Sequence, residues 1–306
     1  MRILITGGCG FLGSALVKEA LNKGFDVTVL DDLSIGKPEN IPISEVRFLI
    51  GDIRDENMVK RAMEDVDAVF HMAARCSSAM IDEDPREALS VNINGFLNIL
   101  YYASIKKAKR LIYPSSSSIY GNMFTPHKED MLITTCLHHY ASSKICNEYL
   151  AKTFTQRKDL DTVSLRIFSG YGPGEKHKGE SYATPISVFL WKLLKNEQPI
   201  IYGEGNQGKD FIYVDDIVKA CFLALEKPNI EGEIFNVGTG KETSFNEIIA
   251  ILNEILGKNI QPKYVSNPIQ YYQYHTQADT TKAEKILGFK AEIPLRKGIE
   301  MLIGEK

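Results

Sequence analysis

The chain has 306 residues, of which 44% are hydrophobic and 25% charged, the composition of an ordinary globular protein with one large domain or two closely packed ones. Its net charge of −3 provides no overall positive field, which argues against nucleic acid or an anionic membrane as a partner. Nowhere does the chain reach the roughly 18 uninterrupted apolar residues that a membrane helix needs. The five cysteines are scattered without a CxxC pair, which is typical of reduced cytosolic thiols rather than of disulfides or a zinc site. We therefore expect a cytoplasmic protein without a metal site.

The first half of the chain alternates predicted strands and helices. An apolar run at 1–6 predicts a strand, a glycine turn follows, apolar positions at 14–23 have helical spacing, and 27–30 predicts a second strand. Further buried parallel strands are predicted at the following ranges: 46–50, 66–71, 111–114 and 163–168. This order predicts an α/β fold with a doubly wound parallel sheet of the Rossmann type.

Two later regions complete the predicted organisation. Asp84, Pro85 and Glu87 begin a helix that runs through Ile105 and is long enough to serve a dimer interface. Glycines crowd residues 170–179, which predicts a binding loop. The elements predicted beyond it are helices at 184–195, 216–226, 244–256 and 280–287 and a strand at 200–202. We expect a cofactor-binding domain at 1–169 and a smaller, mostly C-terminal α/β substrate-binding region at 170–306, of which about 210–240 returns to the first domain.

The glycine turn predicts a dinucleotide site. Gly7, Gly10 and Gly13 lie between the first strand and its helix, where they allow close backbone approach and the helix N-terminus favours a pyrophosphate. Phe11 and Leu12 lie in the same turn. The glycines alone are weak evidence, but the strand, helix and next strand all fall where the motif needs them.

Asp31 ends the second strand, 18 residues after Gly13, where it could accept hydrogen bonds from the adenosine ribose. A carboxylate there repels a 2′-phosphate, so the sequence favours NAD over NADP. Asp52 follows the third strand and could meet the adenine edge or, equally well, cap the helix predicted at 56–63. The other positions predicted to bind the cofactor are Asp32, Ile53 and Ala73.

Tyr140 and Lys144 are four residues apart, so they share one face of a predicted helix and could form a coupled proton-transfer pair. We expect the Lys144 ammonium and the nicotinamide charge to lower the pKa of the Tyr140 hydroxyl. Lys144 would also hold the nicotinamide ribose. Upstream, a run of four serines at 115–118 follows a strand, at the sheet edge where open α/β sheets bind ligands.

At this point the chain resembles the extended short-chain dehydrogenase/reductase family, and within it the nucleotide-sugar epimerases and dehydratases. The segments that carry the resemblance are 6–13, 71–74, 115–121, 140–144, 165–173, 210–216 and 235–240. The resemblance implies catalytic roles for Ser116, Tyr140 and Lys144, NAD as cofactor, a nucleotide-sugar substrate and a homodimer. The 4,6-dehydratases of the family carry Asp-Glu directly after the catalytic Ser/Thr. This chain has Ser117-Ser118 instead, which disfavours dehydration.

Three segments are similar to one subgroup, the ADP-glycero-manno-heptose 6-epimerases. They are Cys76-Ser77-Ser78, the Glu175-x-His177-Lys178-Gly179 loop, and Tyr272-Gln273-x-x-Thr276-Gln277-Ala278-Asp279. In that subgroup the lysine of His-Lys-Gly is a second base across the sugar, so Lys178 becomes a candidate catalytic residue. Its alternative role is a loop lysine that contacts the substrate phosphate or solvent.

The chain also departs from the family. An arginine usually precedes the Asp-Phe-Ile-Tyr motif and another precedes the late Ala-Asp, whereas here the first is Lys209 and the second is missing. Lysine keeps the charge but not the bidentate fork. Ser169 replaces a usual asparagine, and Arg75 stands where glutamine is common. The full set of predicted substrate contacts is Arg75, Ser77, Ser78, Ser116, Ser117, Ser169, His177, Lys178, Lys209 and Gln277.

These observations predict an NAD-dependent epimerase of a nucleotide-activated sugar, such as a UDP-hexose 4-epimerase, that acts through a transient keto-sugar. Three alternatives remain at this stage. They are a two-base epimerase like the ADP-heptose 6-epimerases, a net NAD-dependent sugar dehydrogenase or reductase, and a non-catalytic NAD-binding regulatory protein.

Overall fold

Seven parallel strands form the main sheet of the protein. The computed structural model describes residues 1–304, apart from the side chains of Ser78, Ala79 and His177. The strands are β1 (Arg2–Thr6), β2 (Asp26–Asp31), β3 (Arg47–Ile50), β4 (Ala68–His71), β5 (Arg110–Ser116), β6 (Thr162–Ile167) and β10 (Ile234–Val237). Their order is β3-β2-β1-β4-β5-β6-β10, and all neighbouring pairs are parallel. The prediction of a doubly wound Rossmann-type sheet is confirmed.

Helices cover both faces of this sheet, because successive residues of each strand point to opposite faces. In β1, Ile3 and Ile5 join one buried apolar cluster, whereas Leu4 joins another. The helices are α1 (Phe11–Asn22), α2 (Glu56–Ala62), α3 (Ser78–Glu83), α4 (Pro85–Leu89), α5 (Phe96–Ile105), α6 (His139–Gln156), α7 (Pro185–Leu194), α8 (Val214–Glu226), α9 (Phe245–Leu256) and α10 (Leu295–Gly304).

The second half of the chain builds two small sheets and also returns to the main one. One small sheet has the order β11-β9-β7, from Glu242–Ser244, Gly208–Tyr213 and Ser169–Tyr171; the other pairs β12 (Lys263–Val265) with β8 (Ile200–Tyr202). The returning elements are α8, which packs in the same apolar cluster as α1, and β10, which extends the main sheet beside β6. The division of the chain into domains at residue 170 stays a prediction.

Two predicted helices are locally wider than α-helices. Between α4 and α5, residues Ser90–Gly95 form a π-helical segment, and Ala283–Leu287 form another before Gly288. The first contains Asn92, whose side chain accepts from the Arg75 backbone N–H at 2.8 Å and donates to Ser143 Oγ at 3.1 Å. The prediction of one regular helix through Ile105 therefore needs correction, because Asn92 makes long-range contacts at the wide turn, a common setting for π-bulges.

Candidate active site

A cleft of about 410 Å³ lies at the carboxyl edge of the main sheet. It is lined by the turns that follow β1, β2, β3, β4 and β5, and by residues from the second half of the chain. Open α/β sheets bind ligands at this edge because the loops after neighbouring strands diverge there.

The glycine turn forms a close-fitting backbone cradle on one side of the cleft. Gly7 has φ +66°, and a Cβ there would lie 2.6 Å from the Ala73 backbone nitrogen. A Cβ on Gly13 would collide with the Gly7 carbonyl oxygen. Because the N-cap of α1 is Gly10, which has no side chain to accept a hydrogen bond, the first N–H groups of α1 remain available to an anion. This arrangement fits the pyrophosphate of a dinucleotide.

Asp31 lies at the end of β2 and is buried beside the glycine turn. Its carboxylate accepts hydrogen bonds from the backbone N–H groups of Cys9 and Leu33, both at 2.9 Å. Burial raises the pKa of this carboxyl group, and the two N–H donors counteract the shift. The carboxylate lines the cleft, where it favours ribose hydroxyls and disfavours a phosphate.

Asp52 is held by Arg54 rather than by α2. Arg54 donates to both carboxylate oxygens through Nε, which lowers the pKa of Asp52, and Asp55 is the residue that caps α2. The capping alternative for Asp52 is therefore wrong, because Asp55 lies at the correct offset from the first helical turn.

Ser116, Tyr140 and Lys144 meet at the end of β5. The hydroxyls of Tyr140 and Ser116 both line the cleft here, and Ser116 Oγ accepts from the Ser118 backbone N–H at 3.1 Å. Lys144 lies one turn further along α6, with Nζ 5.7 Å from the Tyr140 ring centroid, and donates to the Pro114 carbonyl oxygen at 3.0 Å. The three groups can together hold a hydroxyl and move its proton.

Burial is the largest influence on the pKa values of Tyr140 and Lys144. Burial raises the pKa of the Tyr140 hydroxyl, repulsion from the Cys76 thiolate raises it further, and the nearby Ser116 hydroxyl lowers it. Burial also lowers the pKa of Lys144 to about 8. In the protein by itself desolvation is therefore the largest effect on Tyr140, and the lowering that we expect from Lys144 and the nicotinamide charge together stays a prediction.

Two lysines provide positive charge elsewhere in the cleft. Lys178 Nζ lies 4.1 Å from the ring centroid of Phe11, the first residue of α1, and 3.2 Å from Glu175 Oε1. Lys209 Nζ donates to the Gln273 backbone carbonyl and lies 5.4 Å from the Tyr272 ring centroid. Burial lowers the pKa of Lys209 to about 7. Both ammonium groups are placed to meet an anionic ligand.

The cradle, Asp31 and the trio coincide with a match to a known family. A family model described as the NAD dependent epimerase/dehydratase family matches residues 3–238. The chain belongs to this family. Its cofactor is NAD, and the glycine turn and Asp31 are the residues whose geometry fits it. Curated members that match the chain are enzymes.

Three similar proteins illustrate the range within the epimerase/dehydratase family. The chain is 36% identical to a putative UDP-glucose 4-epimerase of Methanocaldococcus jannaschii, over 98% of this chain and 97% of the relative. It is also 36% identical to an ADP-L-glycero-D-manno-heptose-6-epimerase of Brachyspira hyodysenteriae, over 92% and 90%. The solved UDP-glucose 4-epimerase of Thermotoga maritima, with UDP-glucose, has a TM-score of 0.94 at 32% identity, covering 99% of this chain and 98% of that one. The predicted resemblance to nucleotide-sugar epimerases is confirmed.

Most of the predicted site residues line this one cleft. Those on the cofactor side are Gly7, Gly10, Phe11, Leu12, Gly13, Asp31, Asp32, Asp52, Ile53 and Ala73. The others that line it are Arg75, Ser116, Ser117, Tyr140, Lys144, Ser169, Lys178 and Lys209. Their individual roles in this family member stay predictions.

Arg75 approaches the loop after β2 rather than Ser116, Tyr140 and Lys144. Its Nη1 donates to Ser34 Oγ at 2.6 Å, and Nη2 lies 3.9 Å from Asp32 Oδ2, both on the loop after β2. The guanidinium therefore bridges the loops that follow β2 and β4. A contact between Arg75 and substrate stays a prediction.

Two predicted substrate contacts use their side chains elsewhere among the described residues. Ser77 caps α3 by accepting from the Met80 N–H at 3.2 Å, and Gln277 donates to the Gly240 carbonyl at 2.9 Å. Ser78 and His177 were also predicted, and their side chains lie outside the described residues.

Sequence reasoning missed two residues of the cleft and its wall. Gln273 lines the cleft and donates to two backbone carbonyls of the serine turn. Glu175 is only 2% exposed and accepts from Thr184, Ser187 and Lys178. Both residues belong to the motifs that resemble the heptose epimerases, so these motifs indicated a functional role for their segments. The sequence prediction of a substrate contact names Gln277 rather than Gln273.

Proposed function

We propose that this family member is an NAD-dependent 4-epimerase of a nucleotide-activated sugar, of the UDP-hexose type. The Ser116 and Tyr140 hydroxyls, which line the same cleft beside Lys144, carry the proposal, because proton transfer at a sugar hydroxyl needs such a set. The similarity to UDP-glucose 4-epimerases over nearly the whole chain supports the substrate class.

Tyr140, Ser116 and Lys144 have separate roles in this reaction. Tyr140 takes the proton of the sugar hydroxyl that becomes the ketone and returns it when the other stereoisomer forms. Ser116 donates a hydrogen bond to the same oxygen and orients it. Lys144 places positive charge next to Tyr140 and so stabilises the tyrosinate. NAD, when bound, supplies a reversible hydride acceptor. The keto-sugar must rotate within the site, so that its opposite face is presented to the hydride donor before reduction.

Water elimination is a weaker candidate for this site. Ser117 and Ser118 follow the catalytic serine, so the two positions offer hydroxyls rather than an acid and a base. The Ser118 Oγ atom is buried and has no hydrogen-bond partner among the described residues.

A proton NMR time course tests the proposal. The purified protein is incubated with UDP-, ADP- and GDP-sugars in turn, while absorbance follows the redox state of the cofactor. Conversion of a UDP-hexose to its 4-epimer without net NADH is the expected result. Net NADH formation would instead identify a dehydrogenase, and inversion at carbon 6 of an ADP-heptose would identify the two-base alternative. Absence of any turnover or redox change would favour a regulatory role.

Replacement of Lys178 by methionine separates the one-base and two-base mechanisms. We expect kcat to fall by less than about fivefold, because Lys178 is already paired with Glu175 and packed on Phe11. A required second base would contribute about 10²- to 10⁴-fold, so a loss of that size would contradict the one-base mechanism. Steady-state kinetics with the epimerised sugar measures the change in kcat. The control is Lys263→Met, at an exposed position.

Lys209 makes substrate capture dependent on pH. Because burial lowers its pKa to about 7, its ammonium is charged below that pH and neutral above it. Glu242 is the charged group that counteracts this shift. Arginine stays charged throughout, so the kcat/KM of Lys209→Arg relative to wild type should rise between about pH 6 and about pH 9. A pH-independent ratio, equal to that of the control Lys263→Arg, would contradict a binding role for the Lys209 charge.

A homodimer and a cytoplasmic location complete the proposal. Leu97, Tyr101 and Ile105 recur every four residues on α5 and are 40%, 52% and 52% exposed, and Tyr149 on α6 is 69% exposed. This apolar face suits a second copy of the chain. A monomer in sedimentation equilibrium at micromolar concentration would contradict the homodimer.

None of the helices within residues 1–304 is long and apolar enough to cross a membrane.

A further inference from the structure

The segment at residues 271–279 joins the two halves of the protein at the cleft. On one side its backbone pairs with β9, where Gly208 N–H donates to the Tyr274 carbonyl at 3.1 Å. On the other side Asn122 holds it, by donating to the Tyr272 carbonyl at 3.0 Å and accepting from the Tyr274 N–H at 2.9 Å. The segment therefore lies between the strand that carries Lys209 and the turn that follows Ser116.

Gln273 makes the direct contact with that turn. Its side-chain amide donates to the carbonyl oxygens of Ser117 at 3.1 Å and Gly121 at 2.8 Å. Ser117 is the first residue of the short 3₁₀ turn Ser117–Tyr120, Gly121 directly follows it, and Ser116 is its N-cap. One side chain thus holds both ends of the turn that places the Ser116 hydroxyl against Tyr140.

The backbone of Gln273 makes the second contact. Its carbonyl oxygen accepts from Lys209 Nζ, the ammonium that replaces the arginine usual at this position. An ammonium has three donors, so Lys209 can hold this carbonyl and an anion at the same time. An anion in the cleft keeps Lys209 charged, which strengthens its hydrogen bond to the Gln273 carbonyl.

These contacts form a continuous network of hydrogen bonds from Lys209 to Ser116. It runs from Lys209 through the backbone and side chain of Gln273 to the serine turn and Ser116, which lines the cleft together with Tyr140. We propose that Gln273 is a positioning residue, which holds the turn that carries Ser116 and links the placement of this turn to the binding of a diphosphate at Lys209. The kinetic part of this inference rests on the proposed epimerase function, whereas the structural part does not.

Gln273→Met tests the proposal, because methionine keeps the length of the side chain and removes both donors. We expect kcat to fall roughly tenfold, with KM for the nucleotide sugar changed less than about twofold, since the variant loses placement of Ser116 rather than a substrate contact. The control is Gln198→Met, which removes the donor of an exposed glutamine to the Gln261 carbonyl. Gln198 is not among the residues that line the cleft. It should match wild type in both constants.

Amide hydrogen exchange of the intact protein tests the same link without turnover. In the Gln273→Met variant, peptides covering residues 115–122 should exchange roughly tenfold faster than in wild type. Inorganic pyrophosphate should slow exchange there in wild type but not in the variant. This measurement stands even where the wild-type protein epimerises no nucleotide sugar, so failure of the proposed function and failure of this inference are distinguishable.

Several outcomes would overturn the inference. Unchanged kcat and exchange in Gln273→Met would remove Gln273 from the positioning of Ser116. A higher KM at unchanged kcat would make it a substrate contact instead. Equal slowing by pyrophosphate in variant and wild type would break the link to Lys209. Loss of cooperative unfolding in both Gln273→Met and Gln273→Glu would leave Gln273 a purely structural role.

Discussion

Tyr140→Phe is expected to reduce kcat by about 10²- to 10⁴-fold, the usual effect of removing a general acid–base. The phenyl ring keeps the packing on α6, and the substitution removes only the hydroxyl of this cleft-lining residue. Proton removal from the sugar hydroxyl then falls to water or to the serine, whose hydroxyl is a far weaker base than a tyrosinate. NMR rates of stereoisomer formation measure the loss.

Binding measurements separate this loss of chemistry from a loss of structure. The Tyr140→Phe variant should retain NAD and unfold at nearly the wild-type temperature, because it leaves the Lys144 contact with the Pro114 carbonyl in place. Tyr202→Phe, at an exposed position on β8, is the matched control and should retain wild-type kcat. Turnover of Tyr140→Phe within about threefold of wild type would remove Tyr140 from the mechanism.

Gly13→Ala is expected to weaken NAD binding strongly. The new methyl group would occupy the space of the Gly7 carbonyl oxygen and approach the Gly8 Cα atom, so the backbone of the glycine turn must shift. Backbone cannot move aside as a flexible side chain can, and overpacking of this kind costs about 1–3 kcal/mol of stability. The shift would also misplace the N–H groups at the start of α1, so we expect NAD affinity to fall by at least about 100-fold.

Calorimetric titration with NAD measures this affinity. Gly304→Ala is the control, because it places the same methyl group on another helical glycine where it would meet nothing within 4 Å. A Gly13→Ala protein that binds NAD with wild-type affinity would show that the turn does not hold the cofactor.

The sheet and its glycine turn could be predicted because their signals are local. Continuous apolar runs predict buried parallel strands, and Gly7, Gly10 and Gly13 fall between a predicted strand and a predicted helix, where the dinucleotide motif needs them. The spacing of Tyr140 and Lys144 likewise predicts a shared helix face, because 3.6 residues make one turn.

The details that sequence reasoning missed depend on contacts between distant residues. The pKa of Tyr140 is raised by burial, which only the packed cleft determines. Two glutamines stand four residues apart in the 271–279 segment, and the course of an irregular segment decides that Gln273 rather than Gln277 enters the cleft. The wide turn at Asn92 depends on its contacts with Arg75 and Ser143.

The return of α8 and β10 to the main sheet limits how proteins of this architecture can diversify. The chain passes from the nucleotide-binding half to the other half and back, so β6 has its outer neighbour β10 supplied from beyond residue 230. A recombination event with a single crossover near residue 170 would therefore join an incomplete sheet to a foreign edge strand. Point substitutions and loop changes around the cleft leave this sheet intact, whereas an exchange of whole modules does not.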